Sequence, residues 1–413
     1  MSVETKQAAF RGRYLAFGLT WLSYATYYFG RKGISVSKKT IASQLGEGVL
    51  VGVDTVYLAA YAIGQAISGY WGDRIGAARL IGFGMLLSAG CCAAFGAGSL
   101  AVIFLIAFGV NGLAQSTGWP GNVKAMAEWT PPAERGAVMG IWATCYQAGG
   151  IAATAFAAIM LRQYGWRAAF WGPALVLLVV GVLVIVLLKP GPLAGSISRT
   201  STAEEIAAHR EERKLAQRHV LRQPIVYFYG ASYFFIKLIR YSLLFWLPYY
   251  LETSLGYSSY WAGMASTSFD AGGILGTIAL GWVSDRYRGL SRSAWSVLSL
   301  LGLAVALVMY AQLGGIHPFV NVTVMALVGA LLFGPDALLS GAGAQDAGGA
   351  RGAAIAAGTI NAIGSLGAVL QELVTRTVSK RFGWNGLFYA FVGFALLAAL
   401  TLVPTLLHRQ KTA

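Results

Sequence analysis

Arg31 and Lys32 stand side by side in YATYYFGRKGISVSKKTI (residues 24–41), and Lys237 and Arg240 lie one turn apart in SYFFIKLIRYSLLFWLPYYL (232–251). Both stretches are otherwise fit for a lipid-spanning helix. A cation at mid-membrane costs several kcal/mol unless an anion meets it. Few acids are placed to do so: Asp270, Asp336 and Glu128 fall within apolar stretches, and Arg31, Lys237 and Arg240 outnumber those deeply placed. The missing anion is then the cargo. A guanidinium suits phosphate, because its planar fork donates two parallel hydrogen bonds and keeps its charge when desolvated. Two such arginines would clamp a dianion, and Lys237 would add a compact third charge. Tyr24, Tyr28 and Tyr61, at helical spacing near this site, could donate hydroxyls or stack on a sugar; tyrosines on such helices also serve as packing or interface anchors. Arg31 and Lys32 could themselves be interface anchors, but Lys38 and Lys39 follow and are better placed for it. The intervening ISVS contains no breaker, so the first helix is expected to be long and tilted.

The elements that must position these groups are membrane helices. The chain has 413 residues, 56% hydrophobic and only 11% charged, with 53 glycines. That charge content is far below the roughly 25% of soluble domains, and the glycines suit close helix packing in lipid. Twelve stretches are long and apolar enough to span, at about 13–38, 50–72, 77–97, 99–128, 135–162, 165–188, 224–252, 258–284, 292–313, 317–345, 351–379 and 384–407. The fold class is therefore an all-α membrane protein of twelve transmembrane helices in two six-helix halves. The halves are expected at 1–190 and 223–413. Between them, 191–222 is a polar cytoplasmic connector with a short helix from Ala203. The net charge of +15 belongs mostly to loops and helix ends, which removes the case for a nucleic-acid partner; the partner is the lipid bilayer. Roughly 20 lysines and arginines fall on the side of the termini and connector against about 7 on the other, which predicts cytoplasmic termini. Cys91, Cys92 and Cys145 all lie in apolar stretches and read as packing residues.

The halves repeat each other. The second span ends G-Y-W-G-D-R at Asp73-Arg74, and the eighth ends G-W-V-S-D-R at Asp285-Arg286. Gly165-Trp166-Arg167 opens the sixth span and Gly383-Trp384-Asn385 the twelfth; Arg135-Gly136 opens the fifth and Arg351-Gly352 the eleventh. The offsets are 212 (285 − 73), 218 (384 − 166) and 216 (351 − 135), and Arg240 follows Arg31 at 209 (240 − 31). Two parallel halves related by a pseudo-twofold axis are the plan of the major facilitator fold. In that plan Asp73, Arg74, Asp285 and Arg286 sit on the cytoplasmic face. There the two carboxylates can cap helix ends, hold nearby positive charge and latch an inner gate.

YYFGRKGISVSKK, YAIGQAISGYWGDR, NGLAQSTGWPGN and FDAGGILGTIALGWVSDR resemble the organophosphate:phosphate antiporters of the major facilitator superfamily along almost the whole chain. The likeness is nearest to the sugar-phosphate exchanger branch. It implies that Arg31 and Arg240 are the phosphate-binding pair, that Tyr24, Tyr28 and Tyr61 line the cavity, and that Asp270 is the acid of the eighth helix. Two positions depart from the glycerol-3-phosphate antiporter: Gln65 replaces a lysine of its second helix, and Tyr146, followed by Gln147, replaces a histidine of its fifth. Lys237 fits the exchanger branch. WPGNVKAMAEWTPPAERG is also similar to proton-coupled symporters of hexuronates, which move carboxylates; the arginine pair favours phosphate.

The expectation is a secondary transporter that exchanges a small organophosphate for inorganic phosphate by alternating access. Proton-coupled symport of an organic anion, with Asp270, Asp336 or Glu128 carrying the proton, is a second reading. A sugar-phosphate receptor that transports poorly is a third. An enzyme is not expected, nor a cofactor or metal site. His209, His219, His317 and His408 fall in the connector, loops or tail, and GAGAQDAGGARG (341–352) lacks the ending of a phosphate-binding loop. Short loops and a polar N-terminus point to a bacterial inner membrane, and the fold to a monomer.

Overall fold

The computed structural model describes residues 3–34, 37, 41, 47–194, 203–257, 259–287 and 289–409; Lys38 and Lys39 lie outside them. Among the described residues the principal α-helices, in order, are α1 (Val3–Tyr27), α2 (Glu47–Ile75), α3 (Ala77–Ala97), α4 (Ala101–Ser116), α5 (Gly118–Trp129), α6 (Arg135–Trp142), α7 (Thr144–Tyr164), α8 (Ala168–Leu187), α9 (Ala203–Arg222), α10 (Pro224–Thr253), α11 (Ser259–Arg286), α12 (Arg292–Leu313), α13 (Pro318–Ala337) and α14 (Ala344–Arg409). No strand occurs among the described residues.

Among the described residues, six helical runs are long and apolar enough to cross a membrane by composition: 77–97, 101–129, 132–164, 168–187, 292–313 and the 89-residue run 318–406. The last holds three expected spans. It is bent at Gly349 and Gly383, whose φ angles of 57° and 71° belong to the left-handed region that only glycine enters cheaply. α1, α2, α10 and α11 are as long, at 25, 29, 30 and 28 residues. These four carry Tyr24, Tyr61, Gln65, Lys237, Arg240 and Asp270.

Several spans are interrupted where the sequence pattern is continuous. α1 stops at Tyr27; a turn at Tyr28 follows before helix resumes over 29–34, so the first span is jointed just before Arg31 rather than one long helix. The fourth span is divided at Thr117 and the fifth at Ala143. In the tenth, Pro335 removes a backbone donor, and the chain passes into a π-helical turn over Leu338–Gly343.

The chain divides into two compact units. One comprises 1–131, 144–223 and 344–362; the other 132–143, 224–343 and 363–413. The break at Gln223 follows the connector helix α9. The short segments 132–143 and 344–362, which open the fifth and eleventh spans, each pack with the unit built mainly from the other repeat.

Each unit has its own aromatic core, and the cores echo the repeat. Gly165 and Gly383 both have positive φ, 82° and 71°. Five residues on, Phe170 and Phe388 are both buried. Phe170 stacks on Phe95 with centroids 4.3 Å apart, and Phe388 packs on Tyr310 at 4.9 Å. The offset is 218 for both pairs (383 − 165, 388 − 170).

In the first unit the connector helix α9 lies along the end of α2. Gln217 donates to the Tyr70 carbonyl at 2.8 Å, Arg213 donates to the Arg74 carbonyl at 3.2 Å, and Glu212 pairs with Arg351 at 2.9 Å. The bond from Arg213 answers a carbonyl in the last turn of α2, which has no partner within the helix.

Candidate functional site

In the first unit, Arg31 lies in a ring of tyrosines. Its guanidinium carbon is 4.8 Å from the Tyr28 ring centroid, 5.2 Å from Tyr61 and 5.9 Å from Tyr24. All three are within cation–π range. Its Nε donates to Gln115 Oε1. Among the described residues Nη2 is buried without a hydrogen-bond partner, and no carboxylate pairs with Arg31.

A buried polar chain fixes this geometry. Gln115 Nε2 donates to Ser88 Oγ at 3.0 Å, Ser88 donates to Asn111 Oδ1 at 2.6 Å, and Asn111 Nδ2 donates to the Gly30 carbonyl at 3.0 Å. Two helices, α3 and α4, thereby return to the backbone beside Arg31. Gly30 makes the approach possible, since a Cβ there would lie 2.5 Å from Gln115 Nε2. Tyr57 OH reaches Gln115 Oε1 at 3.4 Å, and its ring stacks on Tyr61 at 6.1 Å.

The tyrosines of YATYY divide by task. Tyr27 is fully buried, donates to the Ile81 carbonyl at 2.9 Å and bonds Thr117 at 2.7 Å, so it holds α1 in place. Tyr24 and Tyr28 face the cation. Trp119 packs edge-on against Tyr24 at 5.3 Å and lies 6.3 Å from Tyr146. Gln65 and Gln147 are buried in the same unit, and neither amide has a partner among the described residues.

In the second unit, Arg240 Nη1 donates to Asp336 Oδ1 at 3.0 Å, with both side chains buried. Its guanidinium sits 4.7 Å from the Phe333 ring. Phe333 and Asp336 lie one turn apart on α13, next to the π-helical turn, and Ser340 Oγ bonds the Asp336 carbonyl at 2.7 Å. Lys237 Nζ donates to Ser365 Oγ at 3.1 Å and lies 4.9 Å from the Tyr233 ring. Asp270 is half-buried on α11. Asp336 is thus a carboxylate partner of Arg240.

The two Asp-Arg turns have parallel structures. Asp73 accepts from the Ala354 and Ile355 amides at 3.2 and 2.9 Å. Asp285 accepts from the Ala137 amide at 2.7 Å. Asp285 thus caps the N-terminal turn of α6, where donors have no helical partner and the dipole favours an anion, while Asp73 accepts from two amides of α14 just beyond its positive-φ residue Gly349; each carboxylate holds a helix from the other repeat. Each also holds a cation: Lys124 lies 3.4 Å from Asp73, and Arg292 lies 3.0 Å from Asp285. Lys124 further pairs with Glu128 at 3.1 Å and donates to the Ala350 carbonyl at 2.9 Å. Glu128 accepts from the Gly191 amide at 3.3 Å. Arg74 stacks 3.9 Å from Tyr70, and Arg286 lies 5.8 Å from Tyr287.

Residues 20–372 match the sequence profile of the Major Facilitator Superfamily. The chain belongs to that superfamily. Within it, it falls in the organophosphate antiporter family. It is 31% identical to glucose-6-phosphate exchanger SLC37A2 of Homo sapiens, over 96% of this chain and 92% of that protein. It is 30% identical to a chain of Arabidopsis thaliana assigned as a glycerol-3-phosphate transporter, over 93% and 89%. Among solved structures, the proton:xylose symporter XylE superposes with a TM-score of 0.73 at 16% identity, over 94% of both chains. The human organic anion transporter MFSD10 gives 0.72 at 16%, over 94% and 99%. At that identity the structures speak for the major facilitator fold alone.

Gln115, Ser88, Asn111, Tyr57 and Lys124 escaped the sequence reading. The signal was slight: Asn111 and Gln115 are two amides one turn apart in an apolar helix, and Lys124 precedes Glu128 at the same spacing.

Replacing Asp73 by alanine is expected to lower stability by about 1–3 kcal/mol, since two amides lose an acceptor and Lys124 keeps one carboxylate. Asp285→Ala should cost less, because its side chain is 12% exposed against none for Asp73. Thermal unfolding of purified protein in detergent measures both; equal melting temperatures in all three proteins would contradict the capping role.

Proposed function

We propose that this chain is a secondary transporter that exchanges a small organic phosphate for inorganic phosphate by alternating access. The observation that carries this is the state of Arg31: a cation among aromatic rings on a membrane helix, joined to a neutral amide, with no carboxylate partner among the described residues. A phosphate would meet its unpartnered Nη2 and remove the penalty of an unmatched charge. The named activities of relatives from Homo sapiens and Arabidopsis thaliana, glucose-6-phosphate exchange and glycerol-3-phosphate transport, support phosphate as the recognised group.

In this mechanism Arg31 and Arg240, matched positions of the two repeats, donate to the phosphoryl oxygens. Lys237 adds charge, and Tyr24, Tyr28, Tyr61 and Tyr146 line the organic part. Binding draws Arg240 toward cargo that competes with Asp336. Reorientation without cargo would bury Arg31 unmatched, so the halves exchange sites only when loaded. Asp73, Arg74, Asp285 and Arg286 form the cytoplasmic latch, both termini face the cytoplasm, and the monomer is the working unit.

Purified protein in phosphate-loaded liposomes tests this. Uptake of radiolabelled phosphate should require internal phosphate and be inhibited by glycerol-3-phosphate or glucose-6-phosphate, not by a hexuronate. Uptake that instead follows an imposed pH gradient without internal phosphate would replace exchange by proton symport. Saturable binding with no flux would make the chain a receptor.

A further inference from the structure

We propose that the outer face of the connector helix α9 binds the headgroups of anionic phospholipids, so that α9 lies on the membrane surface as an interfacial helix. The inference goes beyond the transport reading and does not depend on the cargo. Residues 213–222, RKLAQRHVLR, hold four cations and no acid. One of the four, Arg213, turns inward and donates to the Arg74 carbonyl. The other three, Lys214, Arg218 and Arg222, are exposed and recur at every fourth residue, so they form one stripe about 12 Å long. Lys214 is joined to Glu211, while among the described residues no carboxylate pairs with Arg218 or Arg222.

The stripe lies on the side of α9 away from the protein. On the inner side, Gln217 donates to the Tyr70 carbonyl at 2.8 Å, and Val220 is buried so close to Gly352 that a Cβ there would lie 2.8 Å from Val220 Cγ2. Internal contacts therefore account for Arg213, Gln217 and Val220 and leave the stripe unexplained. The helix dipole accounts for Arg222, which stands in the last turn. That effect fades beyond the last turn and does not reach Lys214, two turns earlier.

Two observations name lipid as the occupant. The first is the apolar flank: Leu215 and Leu221 are 61% and 39% exposed, and at about 100° per residue they bracket the stripe on either side. Cations flanked by exposed leucines suit a helix in the membrane interface, where the leucines enter the acyl boundary and the cations meet phosphate. A soluble polyanion would answer the charges and leave the leucines in water. The second is depth. α9 bonds α2 at Tyr70, and Tyr70 and Trp71 are both exposed. Tyrosine and tryptophan collect at headgroup level. Arg222 also lies two residues before Pro224, where the expected seventh span begins, so the end of the stripe is within about 7 Å of that point along the chain.

The test uses the full chain in nanodiscs of phosphatidylcholine, alone or mixed with phosphatidylglycerol, and follows amide hydrogen exchange over residues 211–222. Each lysine or arginine at an anionic surface favours the docked state about fivefold. Exchange through opening of α9 slows in proportion. Phosphatidylglycerol should therefore slow it about 10- to 100-fold. The triple variant Lys214→Gln, Arg218→Gln, Arg222→Gln should lose this lipid dependence, and Leu215→Ser should weaken it about threefold. Salt at about 1 M, where the Debye length is about 3 Å, should abolish it in the wild type. Exchange indifferent to lipid composition would overturn the proposal, as would a lipid effect that the triple variant retains. Slowing by inorganic phosphate in neutral discs to the same extent would give the stripe to a free anion instead. Slowing by polyglutamate but not by phosphatidylglycerol would give it to an acidic protein. Should the triple variant not fold, the wild type decides: a lipid effect that survives about 1 M salt is not carried by these cations.

Discussion

Arg31→Ala is expected to reduce phosphate exchange by about 100- to 10,000-fold while leaving the empty protein as stable as the wild type, or more so. The loss follows from removing a fork of two charge-assisted hydrogen bonds to phosphate, each contributing about 1.5–3 kcal/mol, at about 1.4 kcal/mol per tenfold. The stability follows from what Arg31 touches. It pairs with no carboxylate among the described residues, so its removal strands no acid. Gln115 Oε1 loses one donor and keeps Tyr57 OH at 3.4 Å. Arg31→Lys keeps the charge but not the fork or its bond to Gln115, and should fall between. Thermal unfolding with and without phosphate separates binding from folding. Wild type should gain about 2.7 kcal/mol at a hundredfold excess of phosphate over its Kd, and Arg31→Ala should gain almost nothing. A large drop in the melting temperature of the empty variant would mean that Arg31 is structural.

Arg240 should behave in the opposite way. Asp336→Ala leaves the guanidinium buried without its carboxylate, which is expected to destabilise the protein by about 3–5 kcal/mol. The double variant Arg240→Met, Asp336→Leu replaces the pair by apolar groups of similar length and should regain most of that stability without regaining exchange. Phosphate should also raise the melting temperature of Asp336→Ala more than that of wild type, because it supplies the anion that the variant lacks. Equal stability of the single and double variants would show that the 3.0 Å contact between Arg240 and Asp336 carries no coupling. The pair of predictions separates two cations that look alike in the sequence: one keeps an internal carboxylate, the other does not.

Much of this protein can be derived from its residues in order. Composition set the membrane as solvent. The offsets near 212–218 residues exposed the duplication, and its traces reach the positive φ angles of Gly165 and Gly383 and the buried Phe170 and Phe388. Charges and their depth singled out Arg31, Lys237 and Arg240, because a cation in an apolar run is costly wherever the run folds. The tertiary structure decided the partners. Charge and periodicity are local properties, whereas pairing depends on which faces of distant helices meet. No local pattern distinguishes Tyr27, bound to α3 and the α4–α5 break, from Tyr24 and Tyr28, whose rings adjoin Arg31. None selects Asp336 as the acid for Arg240. The chain Gln115–Ser88–Asn111 is neutral, and its members are 84, 57 and 80 residues from Arg31 (115 − 31, 88 − 31, 111 − 31), so it leaves no mark in charge or period. Lys124 reads as an ordinary cation near a helix end until packing places Asp73, Glu128 and the Ala350 carbonyl around it.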